Sequence, residues 1–158
     1  MGTMMGTKLE SEIHVRWTIR RDMPSILGIE NDCFEHPWTE EEFIQALRSS
    51  NCIGMSAEVG KKDEFAGYMI YNLHRTRLEL LKIAVSPSYH RCGVGTEMLN
   101  VLKGKLSSDR RNTISILIRE SNLSAQLFFK SQGFVAVEVL RKHYDETGED
   151  AYEMEYRF

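Results

Sequence analysis

No apolar run in the 158-residue sequence approaches the ~18 residues that cross a bilayer, which excludes a membrane-spanning helix. No signal-peptide pattern opens the chain either, and Gly6 stands where a myristoylation site wants Ser or Thr. Long basic runs are missing and the net charge is −3, so nucleic acid has no electrostatic footing here. The three cysteines, Cys33, Cys52 and Cys92, are scattered and make neither a metal cluster nor a disulfide framework. Repeats and linker-like composition are absent too. These absences predict one cytoplasmic domain over residues 13–158 behind a loose, aperiodic tail over residues 1–12. No metal, nucleic acid or membrane is expected as a partner. The 42% of apolar residues suffice for a core at this length.

The most informative stretch runs from Leu78 to Thr96, LELLKIAVSPSYHRCGVGT. It reads as a buried strand over 77–85, a stop at Pro87, a basic loop with two glycines, and an amphipathic helix over 94–106. That order brings unpaired backbone N–H groups and the positive end of a helix to one point, where a phosphate is favoured. Gly93 and Gly95 allow the backbone to curl closely around an anion. No Gly-Lys-Ser/Thr follows, so the loop is not a Walker loop. The third glycine of a dinucleotide fingerprint is missing, and no βαβ unit opens the chain.

Around this cradle the elements alternate in a mixed α/β order. Ile13 to Ile19 alternates as a half-buried strand, and Asp22 is expected to cap a helix reaching Cys33. Thr39-Glu40-Glu41-Glu42 is a capping box that opens a second helix to Arg48. Ile53–Val59 and Phe65–Leu73 are strands around the turn signal Gly60-Lys61-Lys62-Asp63. Ile114–Arg119 is a strand, Asn122–Gln132 a helix closed by Gly133, and Phe134–Arg141 and Ala151–Arg157 are closing strands.

This order, together with the cradle, resembles the GNAT N-acetyltransferase superfamily, whose pyrophosphate loop reads Arg/Gln-x-x-Gly-x-Gly/Ala. His90 stands here at its first position, with Arg91 following. Within the superfamily the chain looks most like the ribosomal-protein-alanine N-acetyltransferase, or RimI, type. Phe34-Glu35-His36-Pro37-Trp38-Thr39 is similar to that type's Pro-Trp-Ser/Thr segment, and Arg119-Glu120-Ser121-Asn122 to its Arg-x-Ser-Asn. Tyr144 with Gly148-Glu149-Asp150-Ala151 and Met154 is similar to its closing hairpin. The resemblance implies a central, mostly antiparallel sheet of about seven strands flanked by about four helices. It also implies acetyl-coenzyme A as cosubstrate and a peptide or protein N-terminus as acceptor, ribosomal proteins included.

By the same resemblance, the backbone of Ile83, Ala84 and Val85 pairs with the pantetheine arm. Arg91, Cys92, Gly93, Val94, Gly95 and Thr96 hold the pyrophosphate, and Asn122 touches the cofactor while also serving as a helix N-cap. A backbone N–H near Ile83 would meet the thioester oxygen if the strand is splayed there. Tyr144 is expected to bind the acceptor. The chain departs from the family at two places. Leu117 occupies the position of the family's glutamate base, and Phe129 that of its tyrosine acid. Glu79 is the substitute candidate base, because burial in its apolar run would favour uptake of a proton; the competing reading is a strand-end glutamate paired with Arg75 or Arg77. Two other functions stay open at this point: acetylation of a small amine, and a non-catalytic acyl-coenzyme A-binding sensor.

Overall fold

A computed structural model of the chain describes residues 12–158, and the expected N-terminal tail lies outside them but for Glu12. The described chain forms β1 (Ile13–Trp17), α1 (Met23–Cys33), α2 (Glu40–Leu47), β2 (Cys52–Val59), β3 (Glu64–Leu73) and β4 (Arg77–Val85). It continues through α3 (Val94–Lys103), β5 (Thr113–Arg119), α4 (Leu123–Ser131), β6 (Val135–Tyr144) and β7 (Glu149–Arg157). The strands make one seven-stranded sheet in the order β1-β2-β3-β4-β5-β7-β6. Every neighbouring pair is antiparallel except β4 and β5. Among the described residues no helix is long and apolar enough to cross a membrane.

The strand alternation seen in the sequence sorts the two faces. Ile114, Ile116 and Ile118 of β5 join Met55, Met69, Leu78 and Leu80 in the larger core, which α3 covers with Val94, Met98, Leu99 and Leu102 and α4 with Phe129. The opposite face carries a smaller core of Ile26, Ile29, Phe43, Tyr68, Ile70 and Ala84, covered by α1 and α2. None of that second core comes from β5, β6 or β7.

Local chemistry places most of the element ends. Thr39 makes the expected capping box, accepting from the Glu42 N–H (3.2 Å) while the Glu42 carboxylate accepts from the Thr39 N–H (3.1 Å). Asp22, by contrast, does not cap α1 with its side chain. Its carboxylate is drawn the other way, accepting two hydrogen bonds from the Arg16 guanidinium (2.8 and 2.9 Å), one from the Ile19 N–H and one from the Ser56 hydroxyl. A charged partner outweighs a backbone N–H in that competition. The helix after the cradle stops at Lys103 because Gly104 forms its C-cap, although Leu106 still packs in the core. The hairpin loop near the C-terminus is shorter than expected, since Glu149 and Asp150 already belong to β7.

Candidate active site

The cleft begins where two strands part. The parallel pairing of β4 with β5 runs only from Arg77 opposite Thr113 to Leu80 opposite Ile116. Past that point Lys82–Val85 keeps its β3 partners but has none on β5. The ladder with β3 shifts between Ile70 and Tyr71, where Lys82 and Leu80 are the successive partners and Leu81 is the extra residue. Such a bulge bends its strand and increases its local twist, which opens a gap beside a straighter neighbour. The resulting cleft of about 530 Å3 is lined by residues of β4 and β5, among them Glu79, Lys82, Ile83 and Leu117, with Asn122 and Tyr144. The splay expected at Ile83 is therefore present.

At one end of the cleft β4 runs on past Ile83 toward the anion cradle. Arg91 and Gly93 have φ of 63° and 87°, and Gly93 is the N-cap of α3 in the left-handed region that glycine adopts without strain. No side chain caps this helix, so its first N–H groups and the positive end of its dipole face the loop. His90 turns away from the loop to hydrogen-bond the Val85 carbonyl oxygen at 2.8 Å. The other expected cradle residues have separate duties. The half-buried Cys92 thiol lies 3.7 Å from the His90 oxygen, and Val94 is buried, so it can offer an anion only its backbone. The Thr96 hydroxyl accepts from Gln132 (3.0 Å), tying α3 to the end of α4. A Cβ on Gly95 would lie 3.1 Å from Cζ of Phe128, so the absent side chain makes room for α4. Asn122 caps α4, with Oδ1 accepting from the Ala125 N–H at 3.2 Å, which leaves its amide nitrogen to face the cleft. An uncapped helix start, two consecutive turns toward positive φ and a free strand edge together fit a pyrophosphate with an extended arm.

The other end carries the titratable groups. Glu79 lines the cleft, but its surroundings are not apolar. Its side chain is 30% exposed, Oε1 lies 2.8 Å from Nε2 of His74, and Asn72 reaches the same oxygen at 3.5 Å. His74, rather than Arg75 or Arg77, is its partner. Leu117 faces the cleft on β5, directly across from Glu153 of β7. Burial, reinforced by Glu155 and Glu138, holds the Glu153 carboxyl above its ordinary range. Phe129 touches the cleft yet is 2% exposed and packs edge-on against Phe128 and Phe134, a core aromatic with no proton to give. Tyr144 lies under Arg119, whose guanidinium carbon is 3.8 Å from the ring centroid. Burial pushes its phenol up, which makes it a poor acid. Arg119 also pairs with Glu146 and Glu149, so β5 grips the β6–β7 hairpin and holds Tyr144 at the cleft.

Two features escaped the sequence reading. His74 stands five residues from Glu79 across the β3–β4 turn, and a histidine and a glutamate flanking a short hairpin was the available signal. Glu30 and Lys82 meet at 2.7 Å over 52 residues of separation, which no local pattern reveals.

Comparison with known proteins agrees with this geometry. The family model described as Acetyltransferase (GNAT) family matches residues 23–134, which spans the cradle, the splay and the Arg-x-Ser-Asn segment. An N-alpha-acetyltransferase of Sulfurisphaera tokodaii is 38% identical over 93% of this chain and 94% of its own length. A ribosomal protein bS18-alanine N-acetyltransferase of Escherichia coli is 29% identical over 80% of this chain and 83% of its own. The crystal structure of Arabidopsis thaliana NAA60 in complex with acetyl-CoA superposes with a TM-score of 0.79, covering 92% of this chain and 99% of that one at 16% identity, a likeness of fold. The splayed parallel pair beside an uncapped helix, the matched family model and the long-range identity have one reading: the chain belongs to the GNAT acetyltransferase family.

Proposed function

We propose that the protein transfers the acetyl group of acetyl-coenzyme A to the α-amine of a peptide or protein N-terminus in the cytoplasm, with ribosomal proteins among its candidate acceptors. The observation that carries this reading is the parting of β4 from β5, which opens a cleft lined by Glu79, Ile83 and Asn122 along the free edge of β4, the strand that runs on into the loop before α3. Residues 91–96 would hold the pyrophosphate, the edge Ile83–Val85 the pantetheine arm, and the Asn122 amide would add a side-chain contact. The thioester supplies the activated acyl group. The S. tokodaii and E. coli relatives, named for acetylation of α-amines, support this acceptor class.

The chain's own groups then divide the work. A backbone N–H at Ile83, unpaired toward β5, stabilises the oxyanion as the carbonyl carbon is attacked. Glu79 takes the proton from the attacking nitrogen, with His74 fixing the carboxylate by the 2.8 Å contact. The C–N bond forms, the C–S bond breaks, and coenzyme A departs as a thiolate that takes its proton from water. No residue at Leu117 or Phe129 can assist. Magnitudes favour the N-terminus over a lysine. An α-amine of pKa ~7.8 is about a quarter neutral at pH ~7.4, against roughly one part in a thousand for a lysine at ~10.4. An active site short of proton carriers loses least with the amine that needs least deprotonation.

The test is to incubate the protein with acetyl-coenzyme A and a panel of peptides, follow free thiol, and map the acetyl group by mass spectrometry. Acetyl on the α-amine, lost when that amine is blocked and kept when lysines are blocked, is the expected result. Acetyl placed on lysine side chains, or on a free polyamine in preference to every peptide, would reject it.

A further inference from the structure

Glu30 of α1 is fully buried, and three donors from three other parts of the chain converge on it. The Trp38 backbone N–H reaches it from the α1–α2 loop at 2.8 Å, Lys82 Nζ from β4 at 2.7 Å, and the Tyr68 hydroxyl from β3. Lys82, with a side chain only 12% exposed, sits beneath the same loop: its Nζ is 4.0 Å from the centroid of the Phe34 ring and 5.2 Å from that of Trp38. The bulge puts it there. With Leu81 as the extra residue, Leu81 and Lys82 both point toward α1, where strict alternation would have sent Lys82 toward α3. Ile83 follows immediately, at the unpaired stretch of strand.

Stability alone does not account for this arrangement. A buried ion pair is generally no better for folding than well-packed apolar side chains of the same size, and here Ile26, Ile29, Phe43 and Ile70 already surround the position with hydrocarbon. What the pair does supply is a fixed distance. One carboxylate oxygen accepts from both Trp38 and Lys82, so the loop and β4 share a single anchor. Phe34, Trp38 and Lys82 all line the cleft.

We propose that the Glu30–Lys82 pair is the positioning device of the acceptor wall: it fixes the Phe34–Trp38 loop over β4 and thereby governs binding of the acceptor, not of acetyl-coenzyme A. This inference rests on the reading that the cleft takes a peptide N-terminus opposite the cofactor. The pair touches no reacting atom and acts through the loop.

The experiment uses the charge-neutral double variant Glu30→Gln with Lys82→Met. It keeps an amide oxygen for the Trp38 N–H and removes only the link to β4, so it leaves no buried charge unpaired. The single variant Glu30→Gln, which leaves the Lys82 ammonium without its counter-charge, serves as the harsher second case. Trp38 is one of two tryptophans, and the other, the exposed Trp17, is removed by Trp17→Phe so that fluorescence reports the loop alone. In the double variant the KM for the peptide should rise about tenfold, with the dissociation constant for acetyl-coenzyme A within twofold of the parent. Acrylamide quenching of Trp38 should rise in the same protein, and at least as much in the single variant, where Lys82 is left unpaired. Unchanged peptide KM and unchanged Trp38 quenching in a folded double variant would overturn the proposal. So would an equal loss of affinity for peptide and acetyl-coenzyme A. A parent enzyme that acetylates no peptide, while the double variant still exposes Trp38, would instead reject the acceptor reading and leave the anchoring of the loop in place.

Discussion

At the scale of single residues, the two positions that the sequence resemblance implies for proton transfer are hydrocarbon here. Leu117 and Phe129 can neither take nor give a proton, and Phe129 is committed to the core between Phe128 and Phe134. Glu79 is the carboxylate left at the cleft on β4, and His74 gives it a fixed direction. If Glu79 takes the amine proton, Glu79→Gln keeps the shape and the contact with His74 while removing the base. Turnover should then fall by about 10²-fold or more, the usual contribution of a positioned base, with acetyl-coenzyme A affinity unchanged because Glu79 is no part of the cradle. Steady-state kinetics beside calorimetric titration would check this. Equal turnover in variant and parent would return Glu79 to a structural partner of His74. Restoring a carboxylate by Leu117→Glu is the riskier change, since Glu153 faces it directly across the ladder and a second charge there would be repelled.

At the scale of elements, α3 shows how one glycine pair divides its tasks. Gly93 supplies the left-handed turn, but Gly95 is small because Phe128 of α4 lies 3.1 Å from where its Cβ would be. Gly95→Val should therefore cost stability, about 1–3 kcal/mol for forcing two helices apart, before it costs any binding. Arg91→Glu, on an exposed loop residue, should do the reverse. It should weaken acetyl-coenzyme A binding by about tenfold at low salt, less at high salt, and leave the unfolding midpoint alone. Urea denaturation and calorimetry on both variants separate the two roles, and an Arg91→Glu protein with parental affinity would move the cofactor off this loop. The sequence announced these elements because strand alternation at Ile114, Ile116 and Ile118, the capping box at Thr39 and the glycines around α3 are local signals. It hid the bulge, because Leu78, Leu80 and Leu81 are equally apolar and nothing in Leu-Glu-Leu-Leu-Lys marks which residue is extra. Asp22 does take the N-cap position of α1, but the reason its side chain caps nothing there is equally non-local. Its true partner Ser56 lies 34 residues away on β2, and Arg16 six residues before it competes better than a backbone N–H.

At the scale of the whole molecule, that same aspartate links the edge of the sheet to α1 and sets how the fold answers acid. Among the described residues β1 is an edge strand that pairs only with β2, and Arg16 on β1 bridges Asp22 at the start of α1 and Glu58 on β2. Burial by itself would raise the Asp22 carboxyl, but the hydrogen bonds from Arg16, the Ile19 N–H and Ser56, together with the Arg16 charge, outweigh it and hold the group below its ordinary value. A carboxyl depressed in the folded state contributes stability that is fully present above its unfolded value, ~3.9, and is lost as pH falls through the folded one. The contribution is thus complete above about pH 5 and disappears in stronger acid. Asp22→Asn removes it at every pH and leaves Arg16, which is 28% exposed on its side chain, only partly compensated by Glu58. At pH 7 the variant should be about 3 kcal/mol less stable than the parent in urea, the lower range for breaking a buried pair because Arg16 still reaches solvent. The gap should narrow steadily as the parent is taken down toward pH 2, since acid there does to Asp22 what the substitution has already done. A gap that stays constant from pH 7 to pH 2 would mean that Asp22 stabilises the fold by shape and not by charge, and that β1 is held by its ladder to β2 and by the packing of Ile13 and Val15 on the core.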